Sequence, residues 1–120
     1  MPTFSISKVP LEEVIPTNDY AVLDGSLTDG EFEMAPGMYN VRCSFTVSAD
    51  TTIYLPPIST TTGSLYSIFV VSVAGGYKVI VRCAKQDAPS VFDAVDLTGS
   101  ESYVLLLNVG DRWKTLNFRS

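Results

Sequence analysis

The sequence predicts an all-β protein, a small antiparallel β-sandwich or barrel (jelly-roll-like), with an extended N-terminal arm. Three observations carry this. Turn signals recur about every 8 to 12 residues, the spacing of a sandwich or barrel. Between them lie short runs rich in β-branched and aromatic residues. No window repeats its apolar residues at helical spacing, and Glu12-Glu13-Val14 suffices for a single turn at most.

Residues 1–20 form the arm and residues 21–120 the β domain. Pro2, Pro10 and Pro16 exclude a long helix or a central strand from the first segment. Yet Phe4, Ile6, Val9, Leu11, Val14 and Ile15 are apolar and need cover. An extended arm lying on this subunit, a neighbour or a larger partner satisfies both facts. Phe4, Ile6, Val9 and Leu11 are its expected contact residues.

The β signals begin at Tyr20. Ala21-Val22-Leu23 ends at Asp24-Gly25, and Asp29-Gly30 repeats that turn dipeptide. Glu31 to Met34 alternates polar and apolar residues, the period of a half-buried strand. Ala35-Pro36-Gly37-Met38 has Pro and Gly placed as a type II turn prefers. Tyr39, Val41, Cys43, Phe45 and Val47 then share one face of the clearest strand in the chain. Thr52 to Leu55 is a short strand stopped by Pro56-Pro57.

Leu65 to Val73 is apolar on both faces, the pattern of a fully buried strand or of an interface. Leu65, Ile68 and Val70 are the residues expected to join copies of the chain. Ala74-Gly75-Gly76 then turns into Tyr77 to Cys83, and the two runs read as a hairpin. Val91 to Leu97 is a weaker strand. Tyr103 to Val109 and Arg112 to Phe118 form a terminal hairpin around Gly110-Asp111.

Composition excludes several function classes. The net charge is −5, and Arg112, Lys114 and Arg119 are too sparse to follow a phosphate backbone or coat an anionic membrane, so neither nucleic acid nor membrane is an expected partner. The chain has no histidine, which removes the commonest general base and metal ligand. No cofactor and no metal are expected, and the protein is not expected to be an enzyme. Glu12-Glu13, Glu31 with Glu33, and Asp93 with Asp96 are paired carboxylates. Glu31 and Glu33 share a strand face and read as a solvated surface, and Asp93 and Asp96 match no calcium loop. Cys43 and Cys83 read as small apolar side chains in strands, with a bridge between them left open. Trp113 reads as core of the last hairpin, against the alternative of a sugar-stacking ring.

The N-terminus lacks the basic start and long apolar run of a signal peptide, so a soluble product made in a cytoplasm is expected. Charged residues are 18% of the chain, below the usual roughly 25%. Few charges and much apolar strand predict burial between subunits.

Thr52-Ile53-Tyr54-Leu55-Pro56, Gly63-Ser64-Leu65-Tyr66-Ser67-Ile68 and Gly76-Tyr77-Lys78-Val79-Ile80-Val81 resemble strands of a β module. So do Tyr103 to Leu107 and Gly110-Asp111-Arg112-Trp113-Lys114-Thr115-Leu116. The module is that of bacteriophage tail fibres, head fibres and capsid decoration (cement) proteins. The resemblance covers a little over half of the chain and departs from the family at Lys85 to Phe92, where Asp/Asn-Gly-rich sequence is usual. It implies a non-catalytic homotrimer on the virion. Taken as a whole protein, 120 residues are too few for a tail fibre, which favours decoration. The implied partners are further copies of the chain and the major capsid protein. The implied location is the outer capsid surface, after synthesis in the host cytoplasm. The alternative is a tail-tip module that binds a receptor or glycan.

Overall fold

The computed structural model describes residues 20–23 and 30–120. The expected arm, with Phe4, Ile6, Val9 and Leu11, lies outside the described residues except for Tyr20.

The described chain is a two-sheet β-sandwich with nine strands. They are β1 (Tyr20–Leu23), β2 (Glu31–Glu33), β3 (Asn40–Val47), β4 (Thr51–Tyr54), β5 (Leu65–Val73), β6 (Val79–Arg82), β7 (Val95–Leu97), β8 (Ser102–Asn108) and β9 (Trp113–Arg119). A short 3-10 turn, Pro89–Val91, precedes β7. One sheet has the order β1-β3-β5-β8-β9 and the other β2-β4-β6-β7.

The all-β sandwich is the predicted class, but its pairing is mixed rather than purely antiparallel. From β1 to β6 the chain alternates between the sheets, so successive strands within a sheet run parallel. Only β7, β8 and β9 add antiparallel partners. Parallel neighbours need a crossover, and here each crossover contains a strand of the opposite sheet. The expected hairpin between Leu65–Val73 and Tyr77–Cys83 is therefore corrected. Tyr77 N–H does donate to the Ala74 carbonyl at 3.2 Å, closing the turn. That turn carries the chain from one sheet to the other, and β5 pairs with β3 and β8 instead. Gly-rich sequence specifies the change of direction, not the hydrogen-bond partner of the next strand.

Two local predictions hold in detail. Met38 N–H donates to the Ala35 carbonyl at 3.0 Å, and Gly37 has φ +96°, the left-handed position a type II turn requires. On β3, Val41, Cys43 and Val47 point inward and are fully covered, with Phe45 packed beside them. The register slips between Cys43 and Thr46, so β3 carries a bulge there.

The core lies between the sheets. Val41, Ile68, Val70, Val104 and Leu106 descend from one side, and Ile53, Val79, Val81 and Leu97 rise from the other. At one end an aromatic stack closes it. The Tyr66 ring meets Trp113 edge-on at 5.3 Å and Tyr39 at 5.1 Å, distances at which such pairs add attraction beyond burial. Trp113 is 5% exposed, as the core reading of the last hairpin predicts.

Candidate interaction surface

Burial of alternate residues leaves each sheet one outer face, and the two outer faces differ in chemistry. Cross-strand register assembles the face of the five-stranded sheet in rows. Leu65 lies beside Leu107, and Leu107 beside Lys114. The next row runs Asn40, Ser67, Leu105, Asn117. The third runs Val22, Arg42, Phe69, Tyr103, Arg119. Val22 is 60% exposed and Leu65 50%, while Phe69, Tyr103, Leu105 and Leu107 are partly buried. An apolar strip thus crosses the middle of the face. The charged residues that β3, β8 and β9 place there, Arg42, Lys114 and Arg119, are all basic and exposed. In a chain of net charge −5, this face is locally positive.

The three residues expected at a trimer interface are divided by this geometry. Leu65 stands on the outer face. Ile68 and Val70 point between the sheets and are 0% exposed, so their place at an interface is corrected to the core. Alternation explains it, since Tyr66, Ile68 and Val70 serve the core while Leu65, Ser67, Phe69 and Val71 face out. Both backbone edges of β5 are also occupied, by β3 and β8. The two-faced apolar pattern was legible in the sequence. Its partition between core and surface needed the neighbours.

The outer face of the four-stranded sheet is charged. Glu31 lies beside Thr52 and Glu33 beside Tyr54, with Arg82 next in that row. Lys85 Nζ approaches Glu31 Oε1 at 3.1 Å and Glu33 Oε2 at 3.7 Å. It also stands 4.9 Å from the centre of the Tyr54 ring, whose hydroxyl donates to Glu31 Oε2 at 3.4 Å. The hydrogen bond to Glu31 holds the Lys85 amine above its ordinary pKa, reinforced by the two carboxylate charges. Lys78 pairs with Asp96 at 3.3 Å. Glu31 and Glu33 thus face solvent together and meet a lysine, not a second carboxyl group across a cleft.

Beside this face Tyr54, Arg82, Lys85, Asp87, Phe92 and Asp93 border an open cleft of about 380 Å³. Asp87 is committed within it, accepting the Ile58 N–H at 2.8 Å. Asp93 lines the cleft, while Asp96 is held on the sheet by Lys78. Cys83 sits in the wall as a free thiol, and Cys43 is a free thiol in the core. Burial raises the Cys83 pKa, and the nearby Asp87 charge raises it further. A thiol held protonated is a poor nucleophile. Trp113, the residue considered for sugar stacking, is sealed in the core and presents no ring to the cleft or to either outer face.

The sequence matches no protein-family model and no curated protein.

Proposed function

We infer that the chain is a non-enzymatic structural module that assembles with copies of itself as a trimer on the outside of a bacteriophage head, cementing the junctions of the major capsid protein. The observation that carries assembly is the outer face of the five-stranded sheet, where Leu65, Leu105, Leu107, Phe69 and Tyr103 form an apolar strip flanked by basic residues. Leu65 is exposed and the other four are partly exposed, and contiguous apolar strips rimmed by polar residues mark interaction sites. A face built on a doubly paired strand also presents its side chains from backbone that is already ordered, which lowers the cost of association.

The placement on a virus head rests on the resemblance of the Thr52–Pro56, Gly63–Ile68 and Gly110–Leu116 strings to phage β modules. Decoration suits such a module physically. Many copies share one shell, so a modest contact per copy gives a stable coat. A threefold oligomer also fits the local symmetry of an icosahedral lattice.

Sedimentation of the full chain tests assembly over about 1–100 μM, the range in which a micromolar interface changes state. The expected species has three times the 13.0 kDa chain mass. Phe69→Asp and Leu107→Asp should dissociate it with the β-sheet circular dichroism intact. A monomer throughout that range overturns the reading. A copy count in purified particles tests location. Copies in proportion to the capsid protein support decoration, and a few per particle place the module at the tail.

A further inference from the structure

We propose that the apolar, basic face of the five-stranded sheet is occupied by residues 4–15 of a neighbouring copy of this chain; the proposal rests on the assembly reading above and names its contact. The chemistry of the face selects the occupant. Two such faces stacked on each other would set Arg42, Lys114 and Arg119 of one copy against those of the next, and like charges at a contact oppose association. The outer face of the four-stranded sheet carries the acidic residues Glu31, Glu33 and Asp96, but these already hold lysines of their own chain. The segment Phe4-Ser5-Ile6-Ser7-Lys8-Val9-Pro10-Leu11-Glu12-Glu13-Val14-Ile15 combines what the face lacks. It brings six large apolar side chains and, with Lys8 set against the pair Glu12-Glu13, a net negative charge opposite in sign to the face.

Where the segment attaches is equally specific. It leads into Tyr20, the start of β1, an edge strand of that same sheet. Tyr20 is in register with Asn40, Asn40 with Ser67, and the Leu65–Leu107 pair lies one row towards the end where the chain enters β1. The assembly reading decides between its own face and a neighbour's, because a segment lying on its own sheet would cover the strip and leave no contact between copies. Extended, residues 4–15 reach about 40 Å, close to the 44 Å long axis of the described residues and enough to cross to an adjoining copy. Exchange of this kind around a ring gives each copy one donated and one received segment, and the ring closes without leaving an open face.

The test is a pair of full-length chains with both native thiols replaced, Cys43→Val and Cys83→Ser. One also carries Val9→Cys, the other Ser67→Cys. On mixing under mild oxidation, the expected product is a disulfide-linked pair at twice the chain mass, formed between the two different variants. If the mixture stays unlinked while a chain carrying both Val9→Cys and Ser67→Cys links within itself, the segment covers its own face and the proposal is overturned. If neither links and the trimer persists, the assembly reading survives and this contact is wrong. If the unsubstituted chain is a monomer, both fall. A charge exchange gives a second readout. Glu12→Lys with Glu13→Lys should weaken assembly at least about tenfold, and Arg42→Glu with Arg119→Glu in the same chain should restore most of the loss. Weakening without restoration counts against the pairing of these charges.

Discussion

The amide nitrogen of Asn108 donates to the Thr60 carbonyl at 2.6 Å, and through its other hydrogen to the Ile58 carbonyl at 3.0 Å. Its side-chain oxygen accepts the Gly110 N–H at 2.9 Å, which fixes the amide's orientation. The backbone joins in, with Gly63 N–H donating to the Asn108 carbonyl at 2.7 Å and Asn108 N–H to that of Ser64 at 3.0 Å. One buried residue at the end of β8 thus ties the long 55–64 connection to the terminal hairpin.

Removing that amide strands three polar groups that water reaches poorly. Asn108→Ala should cost about 2–4 kcal/mol in a denaturant titration, since each buried orphan costs about 1–3 kcal/mol. Asn108→Asp should be at least as damaging at pH 7, because a carboxylate would face two carbonyl oxygens. It should recover partly on acidification, when the protonated group donates again. Equal stability of both variants with the parent would show that the connection is held by other contacts.

The two sides of β5 should respond oppositely to truncation. Ile68→Ala opens a cavity between the sheets and should cost about 2–5 kcal/mol. Leu65→Ser, on the outer face, should change the stability of the single chain by no more than about 0.5 kcal/mol, the range of ordinary surface substitutions. The same Leu65→Ser change should weaken assembly. Chemical denaturation and sedimentation of the two variants separate the effects. A large loss of stability in Leu65→Ser would place that side chain in the fold rather than at a contact.

The type II turn at Pro36-Gly37 gives a backbone test. A methyl group at Gly37 meets no atom within 4 Å, yet the residue sits at φ +96°. Gly37→Ala should therefore destabilise through conformation alone, by about 1–2 kcal/mol. Gly75→Ala has the same open surroundings without a left-handed φ, and should be close to neutral. Thermal melts of both variants check the difference.

Local chemistry made much of this fold legible. Alternation along Tyr39–Val47 identified β3 and its inward face, and the Pro-Gly pair identified the turn before it. Trp113 declared itself as core because the charged Arg112 and Lys114 on either side of it face out. Sheet membership did not declare itself. Each parallel pairing joins strands separated by a strand of the other sheet, and no residue in β5 encodes that its neighbours are β3 and β8. The interaction face was hidden for the same reason. Phe69 and Tyr103 become neighbours, with Arg42 and Arg119 flanking them in the row, only through registers linking distant segments. Likewise, nothing in the sequence around Glu31 announces Lys85.

Cys43 makes the alkaline limit of stability a readout of the core. The side chain is 0% exposed, and burial pushes its thiol from 9.0 up to about 12. The folded state therefore favours the protonated thiol. This contribution is fully present below about pH 9, the unfolded value, and is lost as pH rises towards 12. Over that interval stability should fall by about 1.4 kcal/mol per pH unit from this group. Cys43→Val keeps the apolar packing and removes the titration, so the slope from this group should vanish while stability at pH 7 changes little. The native protein should correspondingly leave Cys43 unmodified by thiol reagents at pH 8, with the half-exposed Cys83 reacting first. Denaturant midpoints at pH 8, 9 and 10 for the parent and Cys43→Val decide the matter: parallel curves would mean that the core opens to solvent before the thiol ionises.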